Sequence, residues 1–318
     1  FESVTNGIRS NIAVAHSSRA VSDGGIVNQA FVQQMFDQAI FSFTGKNDIE
    51  EAWDTIIPGL TANDTIGLKI NCINPAMATR PEVVNAIIDH LLKAGIRKNN
   101  ILVWDRDDSF IPGVGSLTKS GFTLNSSDKG IRYVTTDTDN IGYDSRHKVR
   151  VASADLDFPV SKIITQECKY LINVPVIKSH DNAGITQCMK NYYGVIPLMD
   201  DLAVLKVRKM HADNSNPAIA ELFNQPVFRG KTRLHVCDGL FAMYTGGPFG
   251  SPQGIMGRLM VGTDPVAMDY TSLIFLEKER KKRGMESWLL KSKYIQSAAE
   301  MGIGTNHPEQ IKVALVSL

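Results

Sequence analysis

The chain has 318 residues, 43% hydrophobic and 21% charged, with a formal net charge of +1. That is the composition of a globular chain with material for a large core, in one domain or two. The near-neutral charge excludes a general nucleic-acid or membrane-surface binder, which needs a basic excess, and no apolar run is long enough to span a bilayer.

In chain order, Asn11–His16 reads as a first strand and Ser17–Gly25 as a polar loop. From Asn28 to Phe43 apolar residues recur at helical spacing, and Asp48–Trp53 begins a second helix that Pro58-Gly59 ends. Thr65–Asn71 (TIGLKIN) is the next strand. Pro81 opens a helix over Glu82–Ala94, with Gly95 past its end. Asn100–Trp104 is a strand that runs into Asp105-Arg106-Asp107-Asp108. Strand, helix, strand in so short a span is a βαβ unit, which requires parallel pairing and a right-handed crossover.

Residues 109–150 are rich in Gly, Ser, Asp and Thr, with a short strand at Ile131–Thr135. We read 109–160 as a small β-rich insertion in a single α/β domain over 1–318. Tyr170–Ile177 (YLINVPVI) is the run best suited to a covered strand. It ends in Lys178-Ser179-His180-Asp181-Asn182, and Thr186–Tyr193 has the composition of a helix carrying Lys190 and Asn191. Asp201–Met210 reads as a helix with His211 just beyond, and Ala218–Phe223 as another. Thr232–Cys237 is a strand ending at Asp238-Gly239, followed by a Gly- and Pro-rich loop over Ala242–Gly257. Arg258–Gly262 is a strand, and Thr263-Asp264-Pro265 caps a helix over Val266–Leu276. The charged stretch Glu277–Gly284 reads as its solvated end, and Ile311–Val316 is the last strand. The fold class is a mostly parallel open sheet with helices on both faces.

Several apolar strands thus end at polar residues: Lys69 and Asn71, Asp105, Lys178 and His180, and Asp238. In a parallel sheet all carboxyl ends lie on one side, where open α/β sheets bind ligands. Each residue taken singly has a plainer account, because strand ends are wet. Lys69, within an apolar strand, either holds an anion or serves as a base, or else faces water on an edge strand. His180 is a general acid or base, a metal ligand, or half of a hydrogen-bonded loop pair. Lys190 and Asn191 orient an anion, or Lys190 is an ordinary helical lysine. Metal candidates are His180, His211, Asp105 and Asp238, without the spacing of a known metal motif. Gly246 and Gly247 either bring backbone N–H groups to an anion or form a bare turn; the loop matches neither GxxxxGK[ST] nor GxGxxG, and no GxSxG elbow is present. Asp264 has a good account as a helix cap.

The four cysteines, Cys72, Cys168, Cys188 and Cys237, are scattered and form no CxxC pair, so no self-contained iron–sulfur or zinc module is expected. Three sit in apolar surroundings and read as buried thiols; Cys72, at a polar strand end, is the thiol to watch. The chain begins at Phe1 rather than Met, as a processed or trimmed chain would.

The segments LKIN (68–71), RPEVVNAIIDHLLKAGI (80–96), VWDR (103–106), YLINVPVIKSH (170–180), MKNYYGVIP (189–197), CDGLFAM (237–243), GGP (246–248) and TDPVAMD (263–269) resemble, in order and wording, the family called domain of unknown function 362. The matching residues are Lys69, Asn71, Asp105, Lys178, His180, Lys190, Asn191, Asp238, Gly246, Gly247 and Asp264. The family has no settled general reaction. Its ferredoxin-like CxxC clusters are not found here, so the iron–sulfur label of some members does not carry over. The VWDR form resembles members made with a twin-arginine export signal, which implies an exported protein.

The expectation is an enzyme that binds a small anionic substrate or cofactor in a crevice at the carboxyl ends of the strands. Lys69, Lys178 and His180 are its catalytic candidates. Asn71, Asp105, Lys190, Asn191, Asp238, Gly246 and Gly247 are its binding candidates, with a bound metal ion as a variant. The competing expectation is a non-catalytic exported ligand receptor or redox partner, favoured by the lack of a recognised catalytic motif.

Overall fold

The computed structural model describes residues 7, 9–106, 117–137, 141–198 and 202–318. Strand β1 (Ser10–His16) leads to α1 (Gln29–Thr44), whose first N–H groups are held by the Asn28 side chain and whose end is turned by Gly45. Helix α2 (Ile49–Ile56) is capped by Asp48. The expected βαβ unit follows as β2 (Ile66–Lys69), α3 (Pro81–Lys93) and β3 (Ile101–Asp105), with β2 and β3 paired in parallel.

Next come β4 (Arg132–Thr135), the hairpin β5 (Tyr143–Val151) and β6 (Leu156–Ser161), and β7 (Tyr170–Asn173). A second hairpin, β8 (Lys178–His180) and β9 (Gly184–Thr186), precedes a 3-10 turn at Lys190–Val195. Helices α4 (Ala203–Met210), α5 (Ala218–Phe223) and α6 (Pro226–Arg229) lead to β10 (Thr232–Ala242) and β11 (Gly254–Gly262). The chain closes with α7 (Pro265–Lys282), α8 (Tyr294–Glu300) and β12 (Ile311–Ser317).

The main sheet has eight strands in the order β12-β1-β11-β10-β7-β2-β3-β4. All neighbours run parallel except the two pairs made by β11, with β1 and with β10. Successive strand residues feed opposite faces, as a pleated strand requires. Ile12 and Val14 of β1, and Leu102 and Trp104 of β3, join one core. Ala13 and Ala15, and Ile101 and Val103, join the other. The second core is closed by α1, α2 and α3 through Phe36, Trp53 and Ile87. The first is closed by α5, α7 and α8, and by Phe158 and Val160 of the β5–β6 hairpin. Within the stretch read as an insertion, β4 pairs with β3 in the main sheet, while β5 and β6 form a separate two-stranded sheet.

Four local expectations change. The run Tyr170–Ile177 is not one strand: β7 stops at Asn173, because Pro175 has no N–H for the ladder, and only Val176 returns to bridge Asp238. The polar segment Lys178–His180 is therefore itself a strand, and the helix expected over Thr186–Tyr193 is a shorter 3-10 turn. Asp238 lies inside β10 rather than past its end. Its carboxylate accepts Leu240 N at 3.0 Å where the pairing with β11 shifts register, between Gly239 and Phe241. The charged end of α7 is solvated except at Arg280, which is buried and stacks on Trp288, 3.7 Å from the ring centroid.

Candidate functional site

Strand β2 lies between β7 and β3, so Lys69 is not on an edge facing water. Its side chain is 1% exposed, and a buried ammonium needs a counter-charge. Asp105, at the end of β3, supplies it: Asp105 Oδ1 lies 2.6 Å from Lys69 Nζ. Nζ also donates to Ile70 O at 2.7 Å. The carboxylate is filled further by Arg106 N on Oδ1 (2.8 Å) and Cys72 N on Oδ2 (2.6 Å). Residue 194 packs on this pair so closely that a Cβ there would sit 2.9 Å from both Asp105 Oδ1 and Lys69 Nζ, which only glycine avoids.

Beside the ion pair runs a chain of amides. Lys178 Nζ donates to Asn71 Oδ1 (2.9 Å) and to Met77 O (3.0 Å). That fixes the Asn71 amide, whose Nδ2 donates to Asn191 Oδ1 at 3.0 Å. Asn191 Nδ2 passes the pattern on to Asn173 Oδ1 at 2.7 Å, and Asn173 Nδ2 donates to Cys188 O at 2.9 Å. Burial pulls the Lys178 amine down to about 7.

Above this floor lies a cavity of about 370 Å³. Lys69, Asn71, Asp105 and Arg106 reach it from the ends of β2 and β3, and His180 and Thr186 from the β8–β9 hairpin. Lys190, Asn191 and Tyr193 come from the 3-10 turn, and His211 from beyond α4. Ile73, Leu198, Val207, Pro248 and Phe249 supply apolar walls.

The protonation pattern on the wall follows from its hydrogen bonds. His180 Nδ1 receives two backbone N–H groups, from Asn182 (3.2 Å) and Ala183 (3.0 Å). Nδ1 is therefore the acceptor, and the neutral ring carries its proton on Nε2. Burial first, then the charge of Lys190, pushes the His180 pKa down, so the ring stays neutral. His211 has the opposite tautomer: Nδ1–H donates to Val207 O at 2.8 Å, so Nε2 is bare and accepts from Lys190 Nζ at 3.2 Å. Burial and Lys190 lower the His211 pKa to about 3. The two rings stack with centroids 5.6 Å apart. Lys190 lies 3.9 Å from the Tyr193 ring centroid, a contact that favours the cation, yet burial wins and pulls its pKa to about 7. Among the described residues no carboxylate pairs with it. The Thr186 hydroxyl is buried on the cavity wall without a hydrogen-bond partner.

Of the residues expected from sequence, the structure brings Lys69, Asn71, Asp105, His180, Lys190, Asn191 and His211 to one cavity. Lys178 lies under it, joined through Asn71. Asp238 is not on the lining; it accepts Arg80 N at 2.8 Å, and burial raises its pKa. Gly246 N donates to Asp181 Oδ1 at 3.2 Å. Gly247 is pressed on β8, where a Cβ would lie 1.8 Å from Ser179 O, so its smallness serves this contact while Pro248 and Phe249 reach the cavity. Three of the four metal candidates, Asp105, His180 and His211, line the cavity and Asp238 does not, but among the described residues no group of three His, Cys, Asp or Glu is placed to hold an ion. Asp264 caps α7 by accepting Val266 N and Ala267 N. Asp107 and Asp108 lie outside the described residues. Cys72 is buried, and burial with the Asp105 charge pushes its thiol up, which makes it unreactive. Sequence reasoning passes over Arg106, Thr186 and Tyr193. Arg106 was legible as the cation beside Asp105 at a strand end, whereas Thr186 carries no sequence signal.

A family model described as Domain of unknown function (DUF362) matches residues 66–273. A solved structure of a protein from Thermotoga maritima is similar at 7% identity and a TM-score of 0.43, over 86% of this chain. The chain spans 59% of the length of that structure. No curated protein matches the sequence. Among the described residues no helix is long and apolar enough to cross a membrane.

Proposed function

This chain belongs to the DUF362 family of domains of unknown function, and from that premise we propose that it is an enzyme acting on a small anionic molecule in the cavity above β2 and β3. One observation carries the reading. Of the cationic side chains on the cavity, Lys69 is paired with Asp105 and Arg106 lies 3.7 Å from Asp137 Oδ2, whereas Lys190 has no carboxylate partner among the described residues. A bound anion would be the counter-charge that Lys190 lacks, and the low-dielectric walls strengthen its attraction.

The chemistry is acid–base and differs from the sequence expectation in its assignment. We read His180 as a donor and not as the general base, because its bare nitrogen receives two N–H groups. It is an N–H donor that polarises a carbonyl or phosphoryl oxygen without carrying charge, a role known for neutral imidazoles elsewhere. Lys190, with an amine titrating at about 7, is the base or nucleophile. Lys69 and Lys178 hold the floor.

The test is native mass spectrometry of the protein from its own host, followed by thermal shift with phosphate, citrate, lactate, pyruvate and 2-oxoglutarate. The expected result is a bound small anion, or stabilisation by at least one probe, that is lost in Lys190→Met. His180→Ala should abolish turnover with little change in melting temperature. A chain that carries no anion and responds to none of the five probes overturns the reading.

A further inference from the structure

Lys190 is placed to do more than attract charge. Resting on the anion-site reading above, we infer that the Lys190 amine forms a Schiff base with the carbonyl carbon of a small 2-oxo acid held in the cavity.

The lysines of the site are not equivalent. Lys69 Nζ is committed to Asp105 and Ile70 O, and Lys178 Nζ to Asn71 and Met77 O beneath the cavity. Lys190 Nζ faces the cavity with a bare imidazole nitrogen as its hydrogen-bond partner. That partner orients the amine by accepting one N–H and, with its own pKa near 3, leaves the amine its protons. A desolvated lysine without a counter-charge is the usual way a nucleophilic amine is made available near neutral pH.

The remaining wall groups match the other parts of such a ligand. His180 Nε2–H is a neutral donor for the carbonyl oxygen. Arg106, held by Ile196 O at 3.1 Å and lying 3.7 Å from Asp137 Oδ2, lines the same cavity, and a planar guanidinium suits a carboxylate better than a point charge would. The Thr186 hydroxyl, buried on the same wall without a partner, is a further donor or acceptor for the tetrahedral adduct. Ile73, Leu198, Val207 and Phe249 accept a short apolar or methylene side chain.

The step balances without an oxidant or reductant. The Lys190 nitrogen attacks the carbonyl carbon, a C–N bond forms and the carbonyl π electrons move to oxygen. The proton lost from nitrogen passes to that oxygen, giving a carbinolamine. A second proton, from solvent, lets the oxygen leave as water, and the protonated imine remains on Lys190.

The experiment incubates the full chain with pyruvate, 2-oxobutyrate or 2-oxoglutarate and sodium cyanoborohydride, then maps the product by intact and peptide mass spectrometry. Lactate, with the same carboxylate but no carbonyl, is the control. The expected result is a stoichiometric reduced adduct on Lys190 with at least one oxo acid, none with lactate, and loss of the adduct in Lys190→Arg. Thermal shift with the unreduced acids separates the two readings. Oxo acids that stabilise the chain but leave Lys190 unmodified overturn the Schiff base and keep the anion site. An adduct spread over surface lysines and unchanged in Lys190→Arg overturns it as well. Failure of every anion, carbonyl or not, overturns both.

Discussion

The floor and the wall of the cavity use the same residue types in opposite ways. On the floor, Lys69, Asp105, Asn71, Asn191 and Asn173 answer one another, donor to acceptor, from β2 and β3 to the 3-10 turn. On the wall, among the described residues, Lys190 has no carboxylate and Thr186 no hydrogen-bond partner, while His180 keeps a proton on the nitrogen away from its backbone donors. Burial of a lysine therefore says little by itself. The group opposite decides whether the lysine is part of the scaffold or available to a ligand.

The sharpest break of this contrast is in stability. Lys69→Met leaves the Asp105 carboxylate buried beside an apolar group and should cost about 3–5 kcal/mol in urea unfolding, the usual penalty for removing one partner of a buried pair. Lys69→Met with Asp105→Leu should recover part of that loss. Lys190→Met removes a buried amine that has no carboxylate partner among the described residues and should leave stability unchanged or raise it. Equal losses at the two lysines would erase the distinction between floor and wall.

A smaller effect is in the pH dependence. Burial lowers the folded-state pKa of Lys178 and of Lys190 to about 7, from an ordinary value of 10.5. Between those limits the unfolded chain holds protons that the folded chain has released, so stability rises with pH, by about 1.4 kcal/mol per unit for each lysine. The thiols of Cys72 and Cys168 act oppositely at the upper end. Burial raises their pKa above 9, so the folded chain keeps protons that the unfolded chain loses, and stability falls once pH passes that value. The rise should therefore be seen between about pH 7 and 9. Denaturation at fixed ionic strength across that range should show it in the native chain, and at about half the slope in Lys190→Met. A native chain with no steeper slope than Lys190→Met would mean that Lys190 stays charged across that range.

Much of the architecture is legible in the sequence because the signals are local. Asn28, Asp48 and Asp264 cap the helices that follow them, and the βαβ unit over 66–105 keeps its apolar periods and its Pro81 start. The convergence of Lys69, Asn71, Asp105 and His180 follows from strand polarity, since ends of parallel strands share a side. Other features depend on partners distant in the chain. The return of Val176 and Ile177 to β10 after the break at Pro175 depends on what β10 offers them. Gly247 is needed because Ser179 O is pressed against it. His180 looks like a general base in sequence. Its tautomer is set by two backbone N–H groups that arrive only when Asp181-Asn182-Ala183 turns back to close the β8–β9 hairpin.

That tautomer gives the subtlest prediction, one that moves neither stability nor fold. Free imidazole in a peptide titrates near 6.5, and its proton exchanges between the two nitrogens. In His180, a proton on Nδ1 would meet the N–H groups of Asn182 and Ala183, at 3.2 and 3.0 Å, with no lone pair left to receive them. Nitrogen-15 spectra of imidazole-labelled protein should therefore show His180 as the Nε2–H form, unchanged from pH 8 to about pH 5. The pH profile of any activity should then lack a limb near 6.5 and show one near 7 from Lys190 instead. If His180 carries its proton on Nδ1, or titrates like a free imidazole, the wall holds a conventional base. Lys190 would then return to the floor's role of holding charge.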